Sequence, residues 1–208
     1  MSLSMQEFKS RSVSMTQGKK KLITHETVKG QAVKMCTGLG PQYKCCNLRV
    51  IEQMSNCPFE CTYCFLQGYL NNTVTQIQKD TKTIIAQVKD LTQKYPKRFF
   101  RFGTGDLADS LAISQAKPQV QELISEFQKI PNCFLELKTK SKNVTPLFFD
   151  TSKKNVVVSW SMNPQHIITS DEHKTASLTE RLEAAQKVIE HGYLVGFHFD
   201  PMIAVTGW

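Results

Sequence analysis

Three cysteines that stand close together, Cys57, Cys61 and Cys64, are the residues whose type and spacing most directly indicate chemistry. They form a C-x3-C-x2-C pattern within the stretch NCPFECTYCFLQ. Thiolates spaced in this way can converge on one metal centre if the backbone loops around it. Iron–sulfur clusters are usually held by four cysteines, so a set of three leaves one position open. An open position on a metal centre is where a substrate or cofactor binds.

The spacing alone leaves other interpretations open. The thiolates could bind zinc with a His or another Cys as the fourth ligand, which would make the protein a non-catalytic cluster- or zinc-binding module. They could also be buried structural thiols. The aromatic Tyr63 directly precedes the last cysteine, and this combination resembles the cluster motif of the radical S-adenosylmethionine (radical SAM) enzymes. The sequence around the motif has to decide between these alternatives.

Composition narrows the class of protein. The chain of 208 residues is long enough for one domain with a sizeable core. Its seven cysteines, irregularly spaced, do not form the framework of a small secreted disulfide protein. No apolar run is long enough to span a membrane, and the N-terminus lacks the apolar core of a signal peptide, so we expect a cytoplasmic protein. The net charge of +8 favours anionic partners such as DNA, although a solvated basic surface gives the same charge.

Two parts of the chain differ in pattern. Residues 1–40 are polar and basic, and we interpret them as a solvated or partly ordered N-terminal segment. Residues 41–208 alternate between strand and helix patterns, which predicts an α/β domain with a parallel sheet and helices packed outside, in the shape of a partial (β/α) barrel. The predicted strands are 46–52, 74–78, 98–102, 133–139, 155–160 and 193–199, and the predicted helices are 80–95, 117–129 and 177–191, with a short helix or turn at 144–150.

Polar residues occur at the ends of three successive predicted strands. Strand side chains alternate between faces, and α/β barrels bind ligands at the carboxyl ends of their strands, so we expect these groups to line one polar pocket. The residues that share faces in this way are Glu136, Lys138 and Lys140, then Ser159 and Ser161, then His198 and Asp200. An earlier strand ends in GTGD, where Gly103 allows close approach of a ligand and Asp106 supplies a carboxylate for an ammonium group.

Five stretches taken together resemble the spore photoproduct lyase family, from about residue 36 to residue 208. They are CPFECTYCFLQGYLNN, RFGTGDLADSLA, LELKTKS, VSWSMNP and RLEAAQKVIEHGYLVGFHFDPMI. The resemblance implies a partial (β/α)6 radical SAM barrel, here incomplete at the C-terminus, because the family continues into a further region and a DNA-binding part. It also implies a [4Fe-4S] cluster that splits S-adenosyl-L-methionine (SAM) into methionine and a 5′-deoxyadenosyl radical, with an external electron donor such as a flavodoxin or ferredoxin. In the lyase, that radical reverses a thymine–thymine crosslink in DNA.

The resemblance also assigns residues. It implies that Cys57, Cys61 and Cys64 are the cluster ligands. Lys140 would pair with the carboxylate of SAM, a charge-assisted contact. The complete set of SAM-pocket residues that the resemblance implies is Tyr63, Gly103, Asp106, Lys140, Ser161 and Asn163.

Two positions depart from the family pattern. The lyase cysteine that donates a hydrogen atom to the product radical matches best around Gly103, and the tyrosine that relays the radical matches Phe65. The resemblance therefore implies that the radical-generating half is intact and that the later chemistry differs. We expect His198, Asp200 and Ser159 to act on the substrate as catalytic residues. Three other cysteines, Cys36, Cys45 and Cys46, are interpreted as small buried hydrophobes, with a second metal site as the alternative. Cys133 opens a neighbouring strand and could substitute as the hydrogen donor.

Overall fold

The computed structural model describes residues 22–25, 30–36, 46–70 and 74–204, the first of these ranges by its backbone alone. The strands are β1 (Leu22–His25), β2 (Val33–Met35), β3 (Leu48–Ile51), β4 (Met54–Ser55), β5 (Glu60–Cys61), β6 (Thr75–Gln78), β7 (Phe100–Gly103), β8 (Cys133–Thr139), β9 (Val156–Ser161), β10 (Glu172–His173) and β11 (Leu194–His198). The α-helices are α1 (Leu66–Tyr69), α2 (Thr81–Lys94), α3 (Lys117–Phe127), α4 (Gln165–Asp171) and α5 (Leu178–Glu190), and 3-10 turns cover Ser114–Ala116 and Thr145–Leu147.

The main sheet has six strands in the order β11-β9-β8-β7-β3-β2. All neighbours in it are parallel except the outermost pair, β2 and β3. Helices connect the parallel strands, as the alternating pattern predicted, except that only the 3-10 turn Thr145–Leu147 lies between β8 and β9. The α/β class of the prediction is confirmed. Parallel strands need such crossover connections because their ends lie at opposite edges of the sheet. The carboxyl ends of β7, β8, β9 and β11 therefore lie side by side.

The longer helices begin where their caps predict. The Asp80 carboxylate accepts a hydrogen bond from the Thr83 backbone at the start of α2. Pro118 lies in the first turn of α3, where its missing N–H costs nothing. The capping box of α5, with Ser177 and Glu180, is formed as predicted. Gly192 follows α5 with a φ of +84°, a conformation that glycine adopts without strain.

One continuous core holds the sheet and helices together. The apolar faces of α2, α3 and α5 pack against β7, β8 and β9, and Phe102, Leu135 and Trp160 are fully buried between them. Among the described residues, no helix is long and apolar enough to cross a membrane.

Two smaller sheets lie outside the main one. They contain β6, which the periodicity predicted, and four short strands that it did not predict, β1, β4, β5 and β10. β6 pairs with β1 and β4, outside the main sheet, and β10 pairs with β5. The segment 1–40, interpreted as a polar arm, contributes both β1 and β2, and β2 joins the main sheet by pairing with β3. The predicted domain boundary at residue 40 stays a prediction, and the run of lysines at residues 19–21 lies outside the described residues.

Candidate active site

A cavity of about 330 Å³ opens at the carboxyl ends of the parallel strands. One wall is the loop that carries the three motif cysteines, and the opposite wall is formed by residues that follow β7, β8 and β9. The lining residues that bear directly on chemistry are Cys57, Cys61, Tyr63, Cys64, Phe65, Gly105, Asp106, Asp109, Lys138, Lys140, Ser161 and Asp200. The predicted polar pocket at the strand ends is therefore present.

The three cysteines lie on one loop around the cavity. Cys61 is held by β5, which pairs with β10, and the backbone of Thr62 donates to the carbonyl of Asp171 at 2.8 Å. Burial, together with the nearby Asp109 charge, raises the pKa of Cys57 to about 12, although backbone hydrogen bonds oppose this. Burial likewise raises the pKa of Cys61 to about 12, against the nearby Lys140. Both thiols therefore stay protonated at neutral pH unless a metal withdraws the proton.

Asp109 lies behind the cysteine loop and connects it to β8. One carboxylate oxygen accepts hydrogen bonds from the backbone amides of Leu111 (2.9 Å) and Ala112 (2.8 Å) and from the Thr139 hydroxyl (2.8 Å). The other accepts the backbone amide of Lys140 at 2.6 Å. Burial raises the pKa of Asp109, and the hydrogen bonds only partly oppose that shift. We call Asp109 with these donors the Asp109 network.

Glu172 lies on the other side of the loop and joins three elements. Its carboxylate accepts hydrogen bonds from the hydroxyl of Tyr63 and from the side-chain amide of Asn163 at 2.8 Å. It also forms an ion pair with Arg181 of α5, and both partners are completely buried. Burial would raise the pKa of Glu172, but hydrogen bonds from Tyr63, Asn163 and Arg181 outweigh burial and lower it. We call these four residues the Glu172 network.

Lys140 and Asp106, two side chains of opposite charge, are among the residues that line the cavity. The Lys140 ammonium lies over the ring of Tyr63, 5.4 Å from its centroid. Asp106 lies across the cavity, where desolvation and the charge of Glu52 raise the pKa of its carboxyl and Lys138 lowers it. The cavity thus offers a cation for a carboxylate and a carboxylate for an ammonium group, which are the two ends of an amino acid.

Residues 43–208 match the family model described as spore photoproduct lyase. The chain belongs to the spore photoproduct lyase family. It is 27% identical over 158 residues to the spore photoproduct lyase of Bacillus subtilis, a match that covers 74% of this chain and 45% of that protein. It is 22% identical over 156 residues to that of Clostridium acetobutylicum, covering 74% of this chain and 46% of that protein. The chain thus spans about half the length of the curated relatives it matches.

Solved structures of the lyase share the fold. A spore photoproduct lyase complexed with dinucleoside spore photoproduct superimposes with a TM-score of 0.78 at 20% identity, over 100% of this chain and 57% of that one. A lyase variant with bound AdoMet and dinucleoside spore photoproduct gives a TM-score of 0.77 at 21% identity, with the same coverage. The predicted partial α/β barrel fold is confirmed by this likeness.

The two positions that depart from the lyase pattern lie in different surroundings. Phe65 lines the cavity and is 59% exposed, with Tyr69 of α1 as its aromatic neighbour at 6.1 Å. Gly103 is buried in β7, and a Cβ built on it would lie 3.1 Å from the side chain of Leu48. The glycine that lines the cavity is Gly105, where a Cβ would lie 2.8 Å from that of Lys138. Gly105 therefore allows the two strand ends to approach each other closely.

Two of the three expected catalytic residues, Ser159 and His198, form a hydrogen-bonded group with Glu136 beside the cavity. The carboxylate of Glu136 accepts from Ser159 at 2.7 Å and pairs with His198 at 2.6 Å, and its other oxygen accepts from Arg101. Burial would raise the pKa of Glu136, but these hydrogen bonds outweigh burial and hold it at about 2. The predicted sharing of one face by Glu136, Ser159 and His198 is confirmed. Glu136 thus binds Ser159 and His198, two of the three side chains that the sequence analysis assigns to the substrate.

Asp200 and the SAM-pocket candidates on β9 differ in their access to the cavity. Asp200 lines the cavity and pairs with Lys138 at 2.9 Å. Ser161 also lines it, while Asn163 lies one step behind, bonded to Glu172. The roles of all these residues stay predictions; Asp200 and Ser161 line the cavity, and Asn163 does not.

The remaining cysteines of the described ranges, Cys36, Cys46 and Cys133, do not line the cavity. Cys133 begins β8, at the end opposite to the cavity, and the strand separates it from Thr139 by about 20 Å. It is fully buried, and burial raises its pKa to about 12. Cys46 is exposed, contrary to the prediction of a buried thiol, and Cys36 is partly exposed, whereas Cys45 lies outside the described residues.

Sequence reasoning missed Asp109, Glu172 and Arg181. Asp109 stands three residues after Asp106 in GTGDLAD, and a second carboxylate in a glycine-rich turn was the available signal. Arg181 follows the capping box of α5 and occupies a position at which helical spacing would place an apolar residue facing the sheet. A buried arginine requires a buried partner, and that requirement could have pointed to Glu172.

Proposed function

We propose that this protein is a radical SAM enzyme that binds a [4Fe-4S] cluster through Cys57, Cys61 and Cys64. The observation that carries the proposal is the convergence of these three thiols, Lys140 and Asp106 on one cavity in a chain of the spore photoproduct lyase family. We place the enzyme in the cytoplasm, where reducing conditions keep such thiols available.

The residues present fit a cluster better than a single ion. No three His, Cys, Asp or Glu side chains within the described ranges approach one another closely enough to hold one metal ion. The three thiols instead line one cavity together, all from one loop, and cysteine thiolates are the usual ligands of iron–sulfur clusters. The loop has no cysteine as a fourth ligand at this cavity among the residues described there, which leaves a position for a cofactor.

The opposite wall fits the methionine part of SAM. Lys140 would pair with the SAM carboxylate. Ser161, at the end of β9, lines the same cavity, and Asn163 follows shortly after that strand. Asp106 would accept the SAM amino group. When bound and reduced by an external donor such as a flavodoxin or ferredoxin, the cluster supplies one electron that breaks the carbon–sulfur bond of SAM, giving methionine and a 5′-deoxyadenosyl radical.

We propose that the later chemistry differs from photoproduct repair. Neither Gly103 nor Phe65 carries the S–H or O–H group that the family pattern has there. Cys133 lies at the wrong end of β8 to replace them. The substrate would lie beside Asp200, with His198 and Ser159 contributing through Glu136. DNA remains a proposed partner because two solved relatives are complexed with a dinucleoside photoproduct.

Anaerobic reconstitution with iron and sulfide tests the proposal. We expect a brown protein that absorbs at about 400 nm, as thiolate-bound iron–sulfur clusters do. When it is reduced with dithionite, we expect it to convert SAM to methionine and 5′-deoxyadenosine. Cys61→Ala should lose the iron and the SAM cleavage, whereas Cys46→Ala, which changes an exposed thiol, should keep both. A colourless protein with bound zinc would refute the enzyme and support the metal-binding module.

The same preparation tests the downstream chemistry. We expect SAM cleavage without efficient conversion of a synthetic dinucleotide photoproduct to thymine dinucleotide, resolved by chromatography. Clean repair over many turnovers would show that another group donates the hydrogen atom.

A further inference from the structure

We infer that Arg181 is a positioning residue for Lys140, and through it for the carboxylate group of SAM. The inference rests on the proposed function, because it takes Lys140 as the residue that binds that carboxylate. Arg181 itself has no surface in the cavity: it lies on α5 and its side chain is 0% exposed. Any effect of Arg181 on SAM must therefore be transmitted by other residues.

The guanidinium of Arg181 donates four hydrogen bonds, and each of its three nitrogens takes part. It donates to the carbonyls of Ala176 (2.9 Å) and Ser161 (2.7 Å) and to the hydroxyl of Thr175 (2.8 Å). A further N–H donates to Glu172. Because each of these contacts fixes the planar group, Arg181 holds Glu172 in one position between α5 and the cysteine loop.

Glu172 transmits this position to the loop in two ways. Its carboxylate accepts the hydroxyl of Tyr63, which fixes the far end of that ring. Its backbone lies in β10, in register with Cys61 of β5. The side chain and the backbone of one residue therefore hold the segment between two of the proposed cluster ligands.

Tyr63 in turn supports Lys140. The Lys140 ammonium lies 5.4 Å from the centroid of the Tyr63 ring, within the range of a cation–π contact. The backbone of Lys140 is fixed separately, since its carbonyl accepts the amide of Ala176 at 3.0 Å and its amide donates to Asp109. The ammonium group is thus the part of Lys140 that depends on Tyr63, and Tyr63 depends on Glu172 and Arg181.

This order of contacts predicts a selective defect. Loss of Arg181 should weaken the contact to the carboxylate of SAM more than contacts to its adenosine part. The readout is the ratio of the dissociation constant of decarboxylated SAM to that of SAM, measured at equilibrium on the reconstituted protein. General loss of stability would not change this ratio, because both ligands require the same folded protein.

The variants are Arg181→Met and, as a control, Lys142→Met, which removes the exposed ion pair that Lys142, in the loop after β8, makes to Glu180 on the helix of Arg181. We expect the ratio to fall about tenfold in Arg181→Met, as loss of a partly desolvated cation contact would give, and to stay unchanged in Lys142→Met. In Lys140→Met the ratio should fall as well, and adding Arg181→Met should produce no further fall. An unchanged ratio in Arg181→Met, or additive effects in the double variant, would overturn the inference.

Two further measurements keep the test decisive. If Arg181→Met does not fold, Glu172→Gln replaces it, and we expect a smaller fall of the ratio in the same direction. Hydrogen exchange of the Thr62 amide in metal-free protein reports the loop without any cofactor, since that amide bonds to the carbonyl of Asp171 beside Glu172. We expect its protection to drop in Arg181→Met and to persist in Lys142→Met. Retained protection would overturn the positioning role, whereas a parent protein that binds no SAM would refute the proposed function alone.

Discussion

Asp109 and Glu172 are buried carboxylates on opposite sides of the same cysteine loop, yet their pKa values shift in opposite directions. Every donor to Asp109 is neutral, so burial dominates and the pKa of Asp109 is raised. Glu172 receives a cation, Arg181, in addition to neutral donors, and its pKa is lowered in spite of its burial. Burial therefore has opposite outcomes for the two groups: the neutral donors around Asp109 do not outweigh it, whereas the hydrogen bonds from Tyr63, Asn163 and Arg181 together outweigh it at Glu172.

The two networks also differ in how far apart along the chain the residues that they join lie. The donors to Asp109 lie on its own turn and at the end of β8, so that network fixes one loop against one strand. The Glu172 network joins the cysteine loop, the end of β9 and α5. A carboxylate that joins distant elements must keep its charge to hold several donors at once, and Arg181 stabilises that charge.

Removal of Arg181 should have the largest effect on stability of the changes that test this comparison. Arg181→Met leaves the Glu172 carboxylate buried without its cation, which should lower the free energy of unfolding by about 3–5 kcal/mol. The measurement is urea unfolding of metal-free protein at pH 7, followed by circular dichroism. The double variant Glu172→Gln/Arg181→Met should recover most of the loss, because no unpaired charge remains. If the double variant is as unstable as the single one, the charge of Glu172 is not the cause.

Glu136 extends the comparison to a third buried carboxylate, and it follows Glu172 rather than Asp109. Its donors include the guanidinium of Arg101, and its pKa is about 2, below the ordinary value of 4.5. A pKa that is lower in the folded state contributes stability above pH 4.5, and that contribution is lost as the pH falls towards 2. From the two pKa values the contribution is about 3 kcal/mol at pH 6 and about half of that at pH 3.

The measurement is the difference in free energy of unfolding between the parent and Glu136→Gln, taken at pH 6 and at pH 3. We expect the difference to shrink by roughly half on acidification, which follows from the shift of Glu136 itself. Glu183→Gln, an exposed change on α5, should give a small difference at both values. A difference for Glu136→Gln that does not change with pH would show that its pKa is ordinary in the folded protein.

The contrast between local and distant contacts also explains what the sequence could predict. β8 was predicted at Cys133–Thr139, where the structure has it, and the cap of α5 was predicted with its residues. These features follow from periodicity and capping, which act over a few neighbouring residues. The three cysteines and GTGD were found because short motifs preserve spacing.

What the sequence could not predict depends on pairing across the chain. β5 and β10 have two residues each and exist because they pair with each other across more than a hundred residues. Helix α4 lies in a segment for which the sequence pattern predicts neither a helix nor a strand. Glu172 was missed for the same reason, since its partners Tyr63 and Arg181 become neighbours only in the folded protein.

Asp109→Asn is expected to have the smallest effect of the three changes, and it tests the carboxylate whose hydrogen-bond donors are all neutral. In the parent, one oxygen of Asp109 accepts three hydrogen bonds and the other accepts the amide of Lys140. An asparagine can keep the oxygen with three donors, but its NH₂ group must then face the N–H of Lys140, so one buried donor loses its acceptor. We expect a loss of about 1–3 kcal/mol in the free energy of unfolding at pH 7. Asp90→Asn, an exposed change on α2, should cost less than about 0.5 kcal/mol. Because the Asp109 network contains no cation, the loss should be smaller than that of Arg181→Met, and a loss as large would mean that Asp109 carries a full charge whose removal the structure cannot tolerate.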